Sequence, residues 1–151
     1  MGKFTANLTW ALALAFSLSS PGQAASGKRV TITGELIDTW CYVSQIMGGS
    51  DFIVGSAHRT CALWCSAGGI PVGLLGQDGK IYMVLKFEDD EASVANPRMM
   101  AIADHTVTVD GTLHERDGIH YLMIDKVRND QGIVDRTHES AGVIPPFAVP
   151  K

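Results

Sequence analysis

Alternation of apolar and polar residues predicts five short β-strands in this chain. The first covers residues 30–38, and Gly34 within it is typical of a bulge or bend. The other four strands are predicted at 70–76, 81–87, 105–113 and 119–127. Asp78-Gly79 and Asp117-Gly118 are strong turn signals between neighbouring strands. The pattern therefore predicts a mainly β domain.

The same alternation predicts which strand residues share a face. In strand 81–87 the odd-numbered residues share one face, and Tyr82 and Val84 share the other. In the last strand we expect Tyr121 and Met123 to be buried. Leu122 and Ile124 are further candidates for burial there.

Two short helices complete the predicted fold. One covers 58–65 and ends at Gly68-Gly69, and the other covers 96–103, with a proline in its first turn. Five strands with a helix between the third and fourth match the order of an OB-type barrel. Residues 39–69 would then be an insertion between the first two strands. A β-sandwich is the alternative, but it normally needs about seven strands.

The start of the chain has the features of an export signal. Lys3 precedes an apolar run at 10–18, which is too short to span a bilayer. Gly22 and Ala24 are small residues at the −3 and −1 positions of a cleavage site after Ala24, and cleavage after Ala25 is the alternative. We therefore expect a signal peptide at 1–24, a periplasmic or secreted domain at 25–128 and a C-terminal tail at 129–151.

Charge and cysteine content narrow the function classes. The chain has 12 Lys and Arg against 16 Asp and Glu, a formal net charge of −4, which disfavours nucleic-acid binding. Outside the cytosol, cysteines tend to be oxidised or bound to metal. The chain has three cysteines, so disulfides within one chain cannot use all of them.

The insertion 39–69 concentrates the metal-competent side chains. In a helix with about 100° per residue, His58, Cys61 and Cys65 fall within roughly 60° of one another. Cys41 would join them from the end of the preceding strand. Thiolate sulfur and imidazole nitrogen bind zinc or copper well. We therefore predict that Cys41, His58, Cys61 and Cys65 form a Cys₃His metal site.

Other residues in or next to this segment are candidates for supporting roles. Met47 is a candidate soft axial ligand if the metal is copper. Asp38 and Asp51 are candidate carboxylate partners for His58, since ligating histidines are usually oriented by such groups. Trp40 and Trp64 adjoin the cysteines, and we expect them to shield the site from water.

Several alternatives to a metal site stay open at this point. Cys41 can pair with Cys61 or Cys65 in a disulfide, which leaves one buried thiol in a ligand-binding module without metal. Cys61 and Cys65 can act as a thiol–disulfide redox pair, and cysteine–histidine nucleophilic catalysis is a further class. Covalent haem is disfavoured because no CxxCH motif occurs, whereas non-covalent haem stays open.

The pattern resembles small exported bacterial proteins of OB-like fold that have no settled function. The resemblance rests on GELIDTWCYV, HRTCALWC, GGIPVGLL and KIYMVLKF, and covers about residues 28–128. It implies the fold and no activity. We expect a metal-binding protein rather than an enzyme, acting as a carrier or accessory of a redox system, with a periplasmic redox protein as a candidate partner.

Overall fold

Five strands form a closed barrel in the computed structural model of the protein. They are β1 Lys28–Asp38, β2 Val72–Gly76, β3 Ile81–Phe87, β4 His105–Arg116 and β5 Ile119–Ile133. Their order around the barrel is β1-β2-β3-β5-β4, and β4 pairs back to β1. The β3–β5 pair is parallel and the other pairs are antiparallel. This closed five-stranded barrel confirms the predicted OB-like class.

The structure describes residues 26–47, 49, 52–89 and 93–136. The predicted signal peptide at 1–24 and the part of the predicted tail from residue 137 lie outside the described residues. Within the described part of the chain, no helix has the length and apolar character needed to cross a membrane.

Strand β1 belongs to two ladders, and Gly34 stands where it changes partner. Residues 28–35 pair with β4, and residues 34–38 pair with β2. A Cβ at Gly34 would lie only 2.3 Å from the carbonyl oxygen of Leu75. Glycine therefore permits the close approach that lets β1 bend between its neighbours, as the sequence predicted.

Among the described residues, three α-helices lie in the connections between strands. They are α1 Thr39–Ser44, α2 Arg59–Ala67 and α3 Pro97–Ala101, and a 3₁₀ turn at Gly55–Ala57 precedes α2. The Asn96 side chain caps α3 by accepting hydrogen bonds from the backbone N–H groups of Arg98 and Met99. Helix α2 lies in the insertion between β1 and β2, and α3 lies between β3 and β4, as predicted. Helix α1 was not predicted, and it places Cys41 in its first turn rather than at the end of a strand.

The core corrects two predictions about strand faces. In β5, Leu122 and Ile124 are fully buried, whereas Tyr121 and Met123 are only half-buried. In β3, Phe87 is buried on the same side as Tyr82 and Val84. The register of β3 against β5 shifts between Val84 and Lys86, so strict alternation fails there. The buried cluster comprises Leu36, Val72, Leu74, Tyr82, Val84, Phe87, Met99, Val107, Val109, Leu122 and Ile124.

Strand β5 is longer than the sequence pattern indicates. It continues to Ile133, past Arg128, and its last part pairs with the beginning of β4. The apolar alternation fades there because residues 128–131 are exposed. The pairing is therefore carried by the backbone ladder rather than by buried side chains.

Asp104, just before β4, is a buried carboxyl group. It is 0% exposed, and neither of its oxygens has a hydrogen-bond partner among the described residues. Its backbone N–H donates to the carbonyl of Leu36, and its φ of 58° lies in the left-handed region that Asp and Asn tolerate. Burial, followed by the charge of Glu35, raises its pKa to about 8.

We expect Asp104→Asn to flatten the pH dependence of stability. Between about pH 4 and pH 8, folded Asp104 keeps a proton that the unfolded chain releases, so stability falls as pH rises through this window. The loss is at most about 1.4 kcal/mol per pH unit. Asparagine keeps the size and backbone conformation but does not ionise. The free energy of unfolding of the reduced, metal-free protein, measured in urea from pH 5 to pH 8, tests this.

The exposed Asp89→Asn is the matched control for Asp104→Asn, because the same charge is removed at the surface. This control should keep the pH dependence of the parent protein. An Asp104→Asn variant with the parent's slope would show that Asp104 is ionised in the folded protein at neutral pH.

Candidate metal centre

Asp38 ends β1 and begins the metal-competent segment. It pairs with Val72 in the β1–β2 ladder, and its Oδ1 accepts hydrogen bonds from the backbone N–H groups of Trp40, at 2.9 Å, and Cys41, at 3.4 Å. The carboxylate is thus the N-cap of α1. The chain turns here from strand to helix. The Cys41 side chain, in the first turn of α1, is only 3% exposed.

Helix α2 brings the other two thiols. Cys61 and Cys65 are one turn apart, and both are half-buried. The helix packs on β1. Arg59, at its first residue, donates hydrogen bonds to the backbone carbonyls of Ala101 and Ala103. These contacts fix the helix over the end of the barrel, so its cysteines face the end of β1.

Four side chains meet at this point. One ligand atom from each of Asp38, Cys41, Cys61 and Cys65 lies within 4.8 Å of the other three. The Sγ atoms of Cys41 and Cys61 are 3.8 Å apart. Sulfur atoms of a tetrahedral site with Zn–S bonds of about 2.3 Å are separated by about 3.8 Å. The group is therefore able to hold a metal ion with three sulfur ligands and one oxygen ligand.

The structure brings together three of the four predicted ligands and places His58 outside this group. His58 is 2% exposed, and its Nε2 lies 3.6 Å from Oδ2 of Asp38. The Asp38 carboxylate contacts both the imidazole of His58 and the thiols. The predicted Asp38–His58 contact is therefore present, and Asp38 rather than His58 belongs to the group of ligand atoms that lie within 4.8 Å of one another. Asp51 lies outside the described residues.

The carboxylate and the thiols influence one another's protonation. Burial alone would raise the pKa of Asp38, but the thiols of Cys65 and Cys41 and two backbone N–H groups hold it below its usual 3.8. Burial, followed by the Asp38 carboxylate, raises the pKa of Cys65 to about 12 and also raises that of Cys41. In the metal-free protein the carboxylate is therefore ionised, and these thiols keep their protons at neutral pH. Metal binding must displace them.

The aromatic and sulfur-containing neighbours do not cover the site as expected. Trp40 is 55% exposed and Trp64 is 77% exposed. Met47, the predicted axial ligand for copper, is also exposed. Val43 and Ile46 add to this apolar surface on and just after α1. The prediction that the tryptophans shield the cysteines is wrong, because both rings extend from the solvent side of their helices.

A local signal for Asp38 exists in the sequence. An aspartate directly between a strand pattern and a helix is typical of an N-cap. A capping carboxylate uses one oxygen for the backbone and has a second available. Since Cys41 is three residues further on, in the first turn, that second oxygen and the thiol lie on the same side.

Comparison with protein-family models, with curated proteins and with solved structures finds no match for this chain.

We expect His58→Gln to weaken zinc binding by about 10- to 100-fold, the usual effect of losing a group that orients a ligand. Cys61→Ser and Cys65→Ser should weaken it much more, because each removes a sulfur ligand. The measurement is zinc competition against a chromogenic chelator, with circular dichroism to confirm folding. His120→Gln, on β5 outside the candidate site, is the control and should keep the parent's affinity. If His58→Gln were as damaging as Cys65→Ser, His58 would be a ligand.

Proposed function

We propose that this protein is an exported metal-binding domain that holds one zinc ion through Cys41, Cys61, Cys65 and Asp38. The observation that carries the proposal is the convergence of the four ligand atoms within 4.8 Å of one another. Asp38 and Cys41 precede the loop between α1 and α2, and Cys61 and Cys65 follow it.

The mixture of donors favours zinc over copper. Zinc accepts thiolate sulfur together with carboxylate oxygen in a four-coordinate site. Copper(I) prefers soft sulfur ligands and would not use the carboxylate oxygen of Asp38 as a ligand. The 3.8 Å separation between the Cys41 and Cys61 sulfurs also fits the edge of a zinc tetrahedron.

Export and a carrier role complete the proposal. The N-terminal pattern at 1–24 supports export, where a metal ion protects clustered thiols from oxidation. Cys61 and Cys65 are half-buried rather than fully enclosed, which supports exchange of the ion with another protein. An accessory of an exported redox system, with a periplasmic redox protein as partner, is the role that we propose for such exchange.

Catalytic thiol–disulfide exchange through Cys61 and Cys65 is less well supported. A catalytic cysteine requires a lowered thiol pKa. Burial and the Asp38 carboxylate instead raise the pKa of Cys65 to about 12. The positive surroundings that would activate a thiolate are replaced here by a negative charge.

We expect the purified protein to bind one zinc ion per chain and to show three free thiols once the metal is removed and the protein is denatured. Native mass spectrometry and a thiol assay measure both numbers. Zinc at 100 times its dissociation constant should raise the free energy of unfolding by about 2.7 kcal/mol. A protein that never binds zinc, with three reduced thiols, would contradict the proposal.

We expect Asp38→Asn to separate zinc from copper. Asparagine can still cap α1, so the fold is kept, but the anionic oxygen ligand is lost. Zinc affinity should fall at least about 10-fold, whereas copper(I) affinity should change less than about threefold. Competition titrations with zinc and copper(I) chelators measure this. Asp78→Asn, in the β2–β3 turn, is the control. Unchanged zinc affinity in Asp38→Asn would remove Asp38 from the ligand set.

A further inference from the structure

We infer that Cys41 and Cys61 are a disulfide-forming pair whose oxidant is a low-molecular-mass disulfide, and that this modification and metal binding exclude each other. The exclusion rests on the proposed function, whereas the disulfide itself does not. The site would then hold a metal ion when it is reduced and would lose the ion when it is oxidised.

The geometry selects this pair among the three cysteines. The Sγ atoms of Cys41 and Cys61 are already in contact at 3.8 Å, and a disulfide needs about 2.05 Å. Cys61 is half-buried at the surface of α2, so its side chain has room to rotate toward the buried Cys41. The bond would link the first turn of α1 to α2. These two helices already lie close together at the two sulfur atoms.

Cys65 is the thiol left over. Cys61 and Cys65 lie one turn apart on the same helix, where a disulfide would strain the backbone. The sulfur in contact with Cys41 is that of Cys61. All three cysteines are free in the structure, so the oxidised form is a second state of the same residues.

The exchange balances in two steps. The thiolate of Cys61 attacks one sulfur of the external disulfide RSSR, forming a mixed disulfide and releasing RS⁻, which takes up the proton that Cys61 lost. The sulfur of Cys41 then attacks Sγ of Cys61 as it gives up its proton, which breaks the mixed disulfide and lets the second RS group leave as RSH. The two cysteines lose two electrons, and RSSR becomes two molecules of RSH.

Oxidation removes two of the four proposed ligands. Cys65 and Asp38 alone would remain, and two ligands do not make a stable protein zinc site. Conversely, a bound zinc ion would take a lone pair from each of the Cys41 and Cys61 sulfurs and hold them apart, which weakens their attack on RSSR. Metal occupancy and the Cys41–Cys61 bond are therefore alternatives.

The test compares two samples of the reduced, purified protein, one stripped with a chelator and one loaded with zinc. Both are treated with oxidised glutathione, quenched with a maleimide mass tag, denatured and counted by intact mass. The stripped protein should fall from three tagged thiols to one, and peptide mapping should identify a Cys41–Cys61 link. Zinc should slow this loss at least 10-fold, and a chelator should restore it.

Matched variants make the result specific. Cys65→Ser should lose both of its tagged thiols to the same disulfide. Cys61→Ser is also a cysteine-to-serine change, but it removes one member of the proposed pair, so both of its remaining thiols should stay free. A Cys41–Cys65 or Cys61–Cys65 link, a persistent glutathione adduct, or three thiols retained in the stripped protein would overturn the inference.

The two proposals fail in different ways. A protein that forms the Cys41–Cys61 bond but never binds zinc would refute the metal site and the exclusion, and would keep the disulfide pair. A protein that binds zinc but forms no Cys41–Cys61 bond when stripped would refute the disulfide pair and keep the metal site.

Discussion

The Asp38 carboxylate is the interaction on which the rest of the site depends. One oxygen caps α1, and the carboxylate also contacts His58 and lies among the three thiols. The cap stabilises the turn from β1 into α1, which brings Cys41 to the cysteines of α2. A single side chain therefore joins the barrel, the insertion and the candidate metal centre.

The barrel holds Asp38 and helix α2 of the candidate site in place. Asp38 is held in the β1–β2 ladder, and α2 is held over β1 by contacts that include the Arg59 guanidinium. Among the described residues of the insertion, Ile53, Val54 and Ala62 are buried, whereas Trp40 and Trp64 face solvent. A metal ion, or a disulfide between Cys41 and Cys61, would add a cross-link between α1 and α2 to this packing.

The fold could be predicted from the sequence where local pattern and tertiary structure agree. Strand β3 begins and ends as predicted, and Gly34 marks the bend of β1. The prediction failed where the ladder is irregular. The register shift after Val84 places Phe87 with Tyr82 and Val84, and no local pattern announces that shift. The buried face of β5, and its extension to Ile133, depend on pairing with distant strands.

Part of the candidate site could also be predicted from the sequence. The three cysteines could be brought together from helix periodicity and the nearby strand end. The N-cap pattern points to Asp38 locally, but its place among the thiols depends on how α2 packs on β1, which no local pattern gives. His58, the residue before α2, is buried beside Asp38, with its Nε2 3.6 Å from Oδ2 of Asp38.

X-ray absorption spectroscopy at the zinc edge of the zinc-loaded protein tests the central claim most directly, because it reports the ligand atoms themselves. The structure predicts three sulfur neighbours at about 2.3 Å and one oxygen neighbour at about 2.0 Å, without the outer-shell scattering of an imidazole ring. Two or fewer sulfur neighbours, or a clear imidazole signal in place of the oxygen, would contradict a site made by Asp38, Cys41, Cys61 and Cys65.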